Sequence, residues 1–284
     1  MLRSQDLVFT LYGDYIRHRG GEAWTGSLIE LLGLLGLSAQ AVRSTLSRMS
    51  RKGWLKGRRV GNKSFYSLTP KSVKLLEEGA QRIFQPRTDA WDGKWCLLTY
   101  SIPEKKRHLR NKLREKLTWL GYAPLNHATW ISPRILQHEL EDLLRSLKIR
   151  DHVEIFCAEH LGFSSNQEIV ARCWNLEGLN RTYADFIAKY EPLLNQHKAS
   201  SVEGQTLDPA ECFVQRFMLV HEYRSFPYVD PNLPAELLPD GWLGNKALQV
   251  FREYHELLTA GANAFVDDVF ARAPSLGDKN RSTR

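Results

Sequence analysis

Gln40, Arg43, Ser44, Ser47 and Arg51 recur at steps of mostly three or four residues, which gathers them on one side of a helix. An arginine guanidinium pairs with O6 and N7 of guanine, and a glutamine amide with N6 and N7 of adenine. Short serine side chains stand beside them. The chemistry open to this set is the reading of base edges in a major groove. Arg58, Arg59 and Lys63 follow around the turn sequence Val60-Gly61-Asn62-Lys63, where they would lie near phosphates or a minor groove. Between Glu30 and Glu77 there is no acidic residue, while the same interval holds ten basic ones. A protein surface normally mixes the two signs of charge. A one-sign interval of this length sets up a positive field suited to phosphates, which a protein-interaction module would not need.

Catalytic chemistry finds little support. The nine histidines are scattered, and there is no GxSxG elbow, no HExxH and no glycine-rich phosphate loop. Cys96, Cys157, Cys173 and Cys212 form no CxxC pair, so they read as reduced, buried thiols in the cytoplasm. No metal and no cofactor is expected. Asp230, near Trp242, admits a catalytic reading, but Asp230-Pro231 is better read as a turn former.

The elements that must position the basic residues read clearly. Residues 4–18 form a helix with Leu7, Val8, Leu11 and Tyr15 on one face, ended by Gly20-Gly21. Trp24 sits in a short strand that meets the later hairpin. Residues 27–35 form a second helix through Leu28, Leu31, Leu32 and Leu35. Gly36-Leu37-Ser38 breaks it, and Ser38 caps a third helix over 39–52 that buries Val42, Leu46 and Met49. Strands over 54–59 and 64–68 complete a winged helix-turn-helix. Pro70 opens a helix over 71–84, and 85–93 reads as a linker.

Downstream, a strand over 95–102, a helix over 105–120, strands over 122–125 and 129–132, a helix opened by Pro133 and a strand over 153–157 give the order βαββαβ, the ferredoxin-like plan. The basic face of helix 105–120 is interrupted by Glu104 and Glu115 and reads as solvated surface rather than a second DNA contact. From 164 onward the pattern is helical: 166–174, 176–197, a polar loop over 198–207, a helix capped by Asp208-Pro209 and running to 225, a proline-rich turn over 226–244, and a last helix over 245–260 that continues toward 270. The tail over 277–284 is expected to be disordered. The expected fold is α+β. Its domains are a winged helix-turn-helix at 1–90, a ferredoxin-like middle domain at 91–163 and an all-α domain at 164–284.

The whole-chain numbers agree with a globular protein. Of 284 residues, 43% are hydrophobic and 25% charged, and much of the net charge of +7 falls in the first quarter. No apolar run is long enough to span a bilayer, and the opening MLRSQDLVF does not read as a signal peptide, so a cytoplasmic protein is expected.

The segments LYGDYIRHRGGEAWTGSL (11–28), AVRSTLSRMSRKGWL (41–55), GNKSFYSLT (61–69), AWDGKW (90–95) and DPNLPAELLPDGWLG (230–244) resemble the PaaX family of bacterial transcriptional regulators. The last segment is long and unusual, which makes the resemblance specific, and it covers nearly the whole chain. The resemblance implies a homodimeric repressor of aromatic (phenylacetate) catabolism genes, bound to double-stranded operator DNA and released by phenylacetyl-coenzyme A, an aryl-acyl-coenzyme A thioester. A dimer also suits the small interface of a single winged helix, since most operators are read by symmetric pairs. Candidate effector residues fall in two groups, Trp119, Tyr122, His127 and Trp130, then His221, Arg224 and Tyr228. Their aromatics suit a phenyl ring and their basic groups suit phosphates; the competing reading is core aromatics and a surface salt bridge. The middle segment also resembles a small CRISPR-associated ferredoxin-like nuclease. Such a nuclease needs a metal-binding carboxylate where this strand ends Tyr100-Ser101-Ile102, so the alternative of an enzyme acting on nucleic acid or coenzyme A esters, with a winged helix attached, is the weaker one.

Overall fold

The computed structural model describes residues 3–84 and 90–273. Most of the expected linker, and all of the tail over 277–284, fall outside these residues. The fold is α+β, with two antiparallel sheets among the described residues.

The chain opens with α1 (Ser4–Leu11), which runs into a π-helical turn at Tyr12–Ile16 rather than continuing as a regular helix to 18. Gly20 and Gly21, with φ of 82° and 74°, turn the chain into β1 (Glu22–Trp24) through a backbone region that favours glycine. Next come α2 (Thr25–Gly33) and α3 (Ala39–Arg51). Ser38 caps α3 as expected, its Oγ accepting the Ala41 N–H at 3.2 Å. The hairpin β2 (Leu55–Val60) and β3 (Lys63–Leu68) follows, then α4 (Pro70–Phe84). β1 pairs with β3 as well, giving a sheet of order β1-β3-β2.

The next sheet is built from β4 (Trp95–Tyr100), β5 (Ala123–Pro124), β6 (Thr129–Ser132) and β7 (Val153–Ala158), in the order β5-β6-β4-β7 with every pair antiparallel. Between the strands lie α5 (Arg107–Trp119) and α6 (Gln137–Leu147). Pro133 does not open α6. The Arg134 N–H is held by Ser132 Oγ at 3.1 Å and its guanidinium by the Asn232 carbonyl, in a bend that precedes the helix start at Gln137. Alternation along β4 splits its side chains between faces. Cys96, Leu98 and Tyr100 pack with Leu113, Leu117, Trp130, Leu140 and Leu144 against α5 and α6. Trp95 packs on the other face with Ile131, Ile169, Trp174, Leu233 and Leu237.

The remaining chain is helical. A reciprocal pair of bonds between Ser165 and Glu168 opens α7 (Asn166–Cys173). α8 (Leu176–Val202) runs past 197 into the expected polar loop, because Lys198 is paired with Glu253 and Ser201 Oγ bonds back to the His197 carbonyl at 2.9 Å. Asp208 caps α9 (Pro209–Tyr223). The proline-rich stretch contains the short α10 (Phe226–Val229), and α11 (Gly244–Ala271) closes the described chain.

These elements form two compact units, each visited more than once by the chain. One unit comprises Met1–Phe84, Phe186–Arg224 and Lys246–Arg284; the other comprises Gln85–Asp185 and Ser225–Asn245. The first break between the units falls near the expected boundary at 90, but there is none at 163, since most of the C-terminal helical residues group with the N-terminal elements. In the first unit Leu7, Val8, Leu11, Tyr15, Leu28, Leu46, Phe213, Phe217, Phe251 and Val266 are all buried.

Candidate nucleic-acid interface

α3 separates its two faces sharply. Val42, Thr45, Leu46 and Met49 are buried, whereas Gln40, Arg43, Ser44, Ser47 and Arg51 are all exposed. The buried face fixes the helix against α1 and α2, so the opposite face is presented on a rigid support. Among the described residues Arg43, Arg51 and Lys63 form no ion pair, so their charge is open to a partner.

The hairpin is less uniform than its sequence suggests. Arg58 is gripped by Glu22, with Nε 3.1 Å and Nη2 2.5 Å from its carboxylate oxygens, and its guanidinium lies 5.1 Å from the centre of the Phe65 ring. This bond holds Arg58 still more firmly in its charged form. Arg59 donates from Nε to the Gly61 carbonyl at 3.1 Å, which pins it over the turn. Lys63, at the start of β3, is exposed. Glu22 was the residue that sequence reasoning missed. It precedes the acid-free interval, and only the pairing of β1 with β3 brings it near β2.

The candidate effector residues lie in separate places. Tyr122 and Trp130 are buried between the four-stranded sheet and its helices, and the Tyr122 hydroxyl donates to Cys96 Sγ at 3.2 Å. His127 is exposed, and its carbonyl accepts from the Tyr100 hydroxyl at 3.0 Å. The Trp119 and Tyr228 rings meet at a tilt of 51°, with centres 4.7 Å apart. His221 and Arg224 belong to the other unit, where His221 Nδ1 lies 2.9 Å from Thr10 Oγ1 and Arg224 lies 3.9 Å from Asp6.

Asp230 acts as a turn former. Its carboxylate accepts from the Tyr183 hydroxyl and from the Asn232 N–H, each at 2.6 Å, and Asn232 takes a left-handed φ of 52°. Burial raises the Asp230 carboxyl above its ordinary pKa. Arg134 bonds the Asn232 carbonyl, and Asn180 bonds the backbone of Gly241 and Leu243. The segment DPNLPAELLPDGWLG is thus a strap that places Leu233 and Leu237 against the second face of the sheet.

Three family models match successive parts of the chain: PaaX-like protein over residues 3–72, PaaX protein central Cas2-like domain over 88–170, and PaaX-like protein C-terminal domain over 174–268. The transcriptional repressor PaaX of Escherichia coli (strain K12) is 35% identical over 265 residues, spanning 92% of this chain and 82% of that protein. The chain belongs to the PaaX family. The solved structure of the uncharacterized protein Rv0674 from Mycobacterium tuberculosis shares the fold. Its TM-score is 0.63 at 22% identity, covering 95% of this chain and 99% of that one. In PaaX terms, α3 and the hairpin lie in the N-terminal match, the four-stranded sheet in the Cas2-like match, and the strap in the C-terminal match. Among the described residues no helix of this PaaX-family chain is long and apolar enough to cross a membrane. Nor does any group of three or more His, Cys, Asp or Glu side chains among them sit close enough to hold a metal ion.

Proposed function

We propose that this chain reads operator DNA through α3 and the β2–β3 hairpin, acts as a homodimer, and is released by an aryl-acyl-coenzyme A thioester. Its family and its Escherichia coli relative make it a transcriptional repressor. In this reading α2, α3 and the hairpin are a winged helix-turn-helix, with α3 as recognition helix. The four-stranded sheet is ferredoxin-like, a plan that its order β5-β6-β4-β7 suits. The observation that carries the proposal is the exposed face of α3: Gln40, Arg43, Ser44, Ser47 and Arg51 stand clear of solvent-excluded packing, on a segment without a carboxylate.

The genes under control are those of phenylacetate catabolism, and phenylacetyl-coenzyme A is the effector that this reading favours. A ligand releases a repressor only by binding its non-binding state better. A preference of about 3 kcal/mol would weaken operator affinity about a hundredfold. A footprint on the DNA upstream of this protein's own gene locates the operator, expected as an inverted repeat with half-sites about one or two helical turns apart. A gel-shift titration then compares phenylacetyl-coenzyme A, coenzyme A and phenylacetate. Release by the thioester alone is expected. Release by free phenylacetate, with the thioester inert, would remove the effector claim and leave the repressor.

A further inference from the structure

Asp14 lies in the π-helical turn that continues α1, a kind of turn found frequently at functional sites. Its Oδ1 accepts from Arg216 Nη2 at 3.0 Å, and both side chains are more than nine-tenths buried, with 7% and 6% exposed. The other oxygen, Oδ2, is buried with no hydrogen-bond partner among the described residues. Buried acceptors are rarely left so, and each case calls for an account. Arg216 does not supply the missing donor: its Nε bonds His255 Nε2 at 3.1 Å and its Nη1 bonds Asn263 Oδ1 at 3.3 Å. Arg19 is likewise committed to Asp267, Asn263 and the Tyr15 carbonyl.

Asp14 and Arg216 line a cavity of about 570 Å3, together with Arg17, His255 and Asn263. Arg17 donates from Nε to His18 Nε2 at 2.9 Å. Burial, then the Arg17 charge, lower the pKa of His18, which keeps the ring a neutral acceptor. The terminal nitrogens of Arg17 remain for a ligand. Asp267 also lines the cavity, but its carboxylate is paired with Arg19. The site therefore asks for two things at once: a hydrogen-bond donor that reaches the buried Asp14 Oδ2, and an anionic group for Arg17.

We propose that this cavity is the effector site, and that it takes an anionic ligand carrying amide or hydroxyl donors. The proposal rests on the reading of the chain as an effector-released repressor. The pantetheine arm of an acyl-coenzyme A has amide and hydroxyl donors, and its phosphates supply the charge. Phenylacetate has the charge but no donor. Ligand pockets commonly measure about 300–1,000 Å3, which includes this one. The site also has a route to the DNA-reading face. Asp14 continues α1, Arg216 is on α9, His255 and Asn263 are on α11, and α1 packs directly on α3. A donor seated on Asp14 alters what holds α1 between its neighbours.

Hydrogen–deuterium exchange on the full-length protein with phenylacetyl-coenzyme A tests the site, with a gel shift run in parallel. Protection is expected over residues 12–19 and 255–267. Arg17→Ala should weaken the thioester about tenfold, and Arg17→Lys should recover part of that, since the loss is of charge at the surface of the cavity rather than of packing. Operator release with protection only elsewhere, for example over 174–182, keeps the effector reading and sinks the cavity. Protection at the cavity without release keeps the site and removes the effector reading. Absence of protection together with absence of release overturns both.

Discussion

Arg58 and Glu22 form a two-pronged ion pair across the three-stranded sheet, with Nε 3.1 Å and Nη2 2.5 Å from the two carboxylate oxygens. Fork-to-fork geometry of this kind is the strongest that an arginine makes with a carboxylate. A cation held this way has less to offer a phosphate than a neighbour without a partner. Lys63→Ala should reduce the salt dependence of DNA binding by about one counterion, whatever the base sequence. Arg58→Ala should change it less, and Glu22→Gln should steepen it. Fluorescence anisotropy across a salt series measures all three; equal slopes for Arg58→Ala and Lys63→Ala would refute the idea that Glu22 withholds Arg58.

Arg43 stands in the middle of the exposed face of α3. If it makes a two-pronged contact to guanine, Arg43→Ala costs about 1–3 kcal/mol at the operator and relaxes the preference at one base pair. Competition against random duplex provides the control. Equal weakening on operator and random DNA would reassign Arg43 to the phosphates.

Ser38 supplies the cap that starts α3. Ser38→Ala should lower unfolding stability by about 1 kcal/mol, whereas Ser38→Asp should keep it, because an aspartate accepts the same N–H. Denaturant unfolding read by circular dichroism decides this. An unchanged midpoint in Ser38→Ala would show that packing alone sets where α3 begins.

His221 faces Thr10 across α9 and α1, with 2.9 Å between Nδ1 and Oγ1. Burial, then the nearby Arg224 charge, push its pKa down from 6.5 to about 4. The sign follows from which state takes the proton. Above about pH 6.5 the ring is neutral whether the chain is folded or unfolded, and its contribution is complete. As the pH falls from 6.5 toward 4, the unfolded chain binds a proton that the folded one refuses, so stability is lost across that window. His221→Gln should flatten the pH dependence of unfolding there. A window unchanged by the substitution would mean that other groups carry it.

Much of the segment proposed to read DNA could be seen in the sequence, because its signals are local. Val42, Leu46 and Met49 repeat at helical spacing, Ser38 precedes them, and Gly61-Asn62 marks the turn of the hairpin. What could not be seen depends on residues far apart. Glu22 reaches Arg58 only through the strand between them, and Asp14 meets Arg216 across some two hundred positions of sequence. The polar stretch after His197 stays helical because Lys198 finds Glu253 on another helix. Pro133 carries the usual mark of a helix start, yet Arg134 is held by Asn232 from the strap. The candidate effector residues were chosen by aromatic and basic type. Residue type gave no means of telling Tyr122, a core residue, from a pocket wall.

Synthesis of the chain takes on a particular order from the way the first unit is assembled. The ribosome makes α1 long before α9, which carries side chains that cover it. Thr10 meets His221, and the Tyr15 ring lies 5.4 Å from that of Phe213. While the intervening residues are being made, Leu7, Val8 and Tyr15 lack that cover, and α3 leans on a helix whose far side is bare. A chain halted before α9 would leave Thr10 without His221 and Tyr15 without Phe213, so the helix that α3 packs on would be missing part of its support.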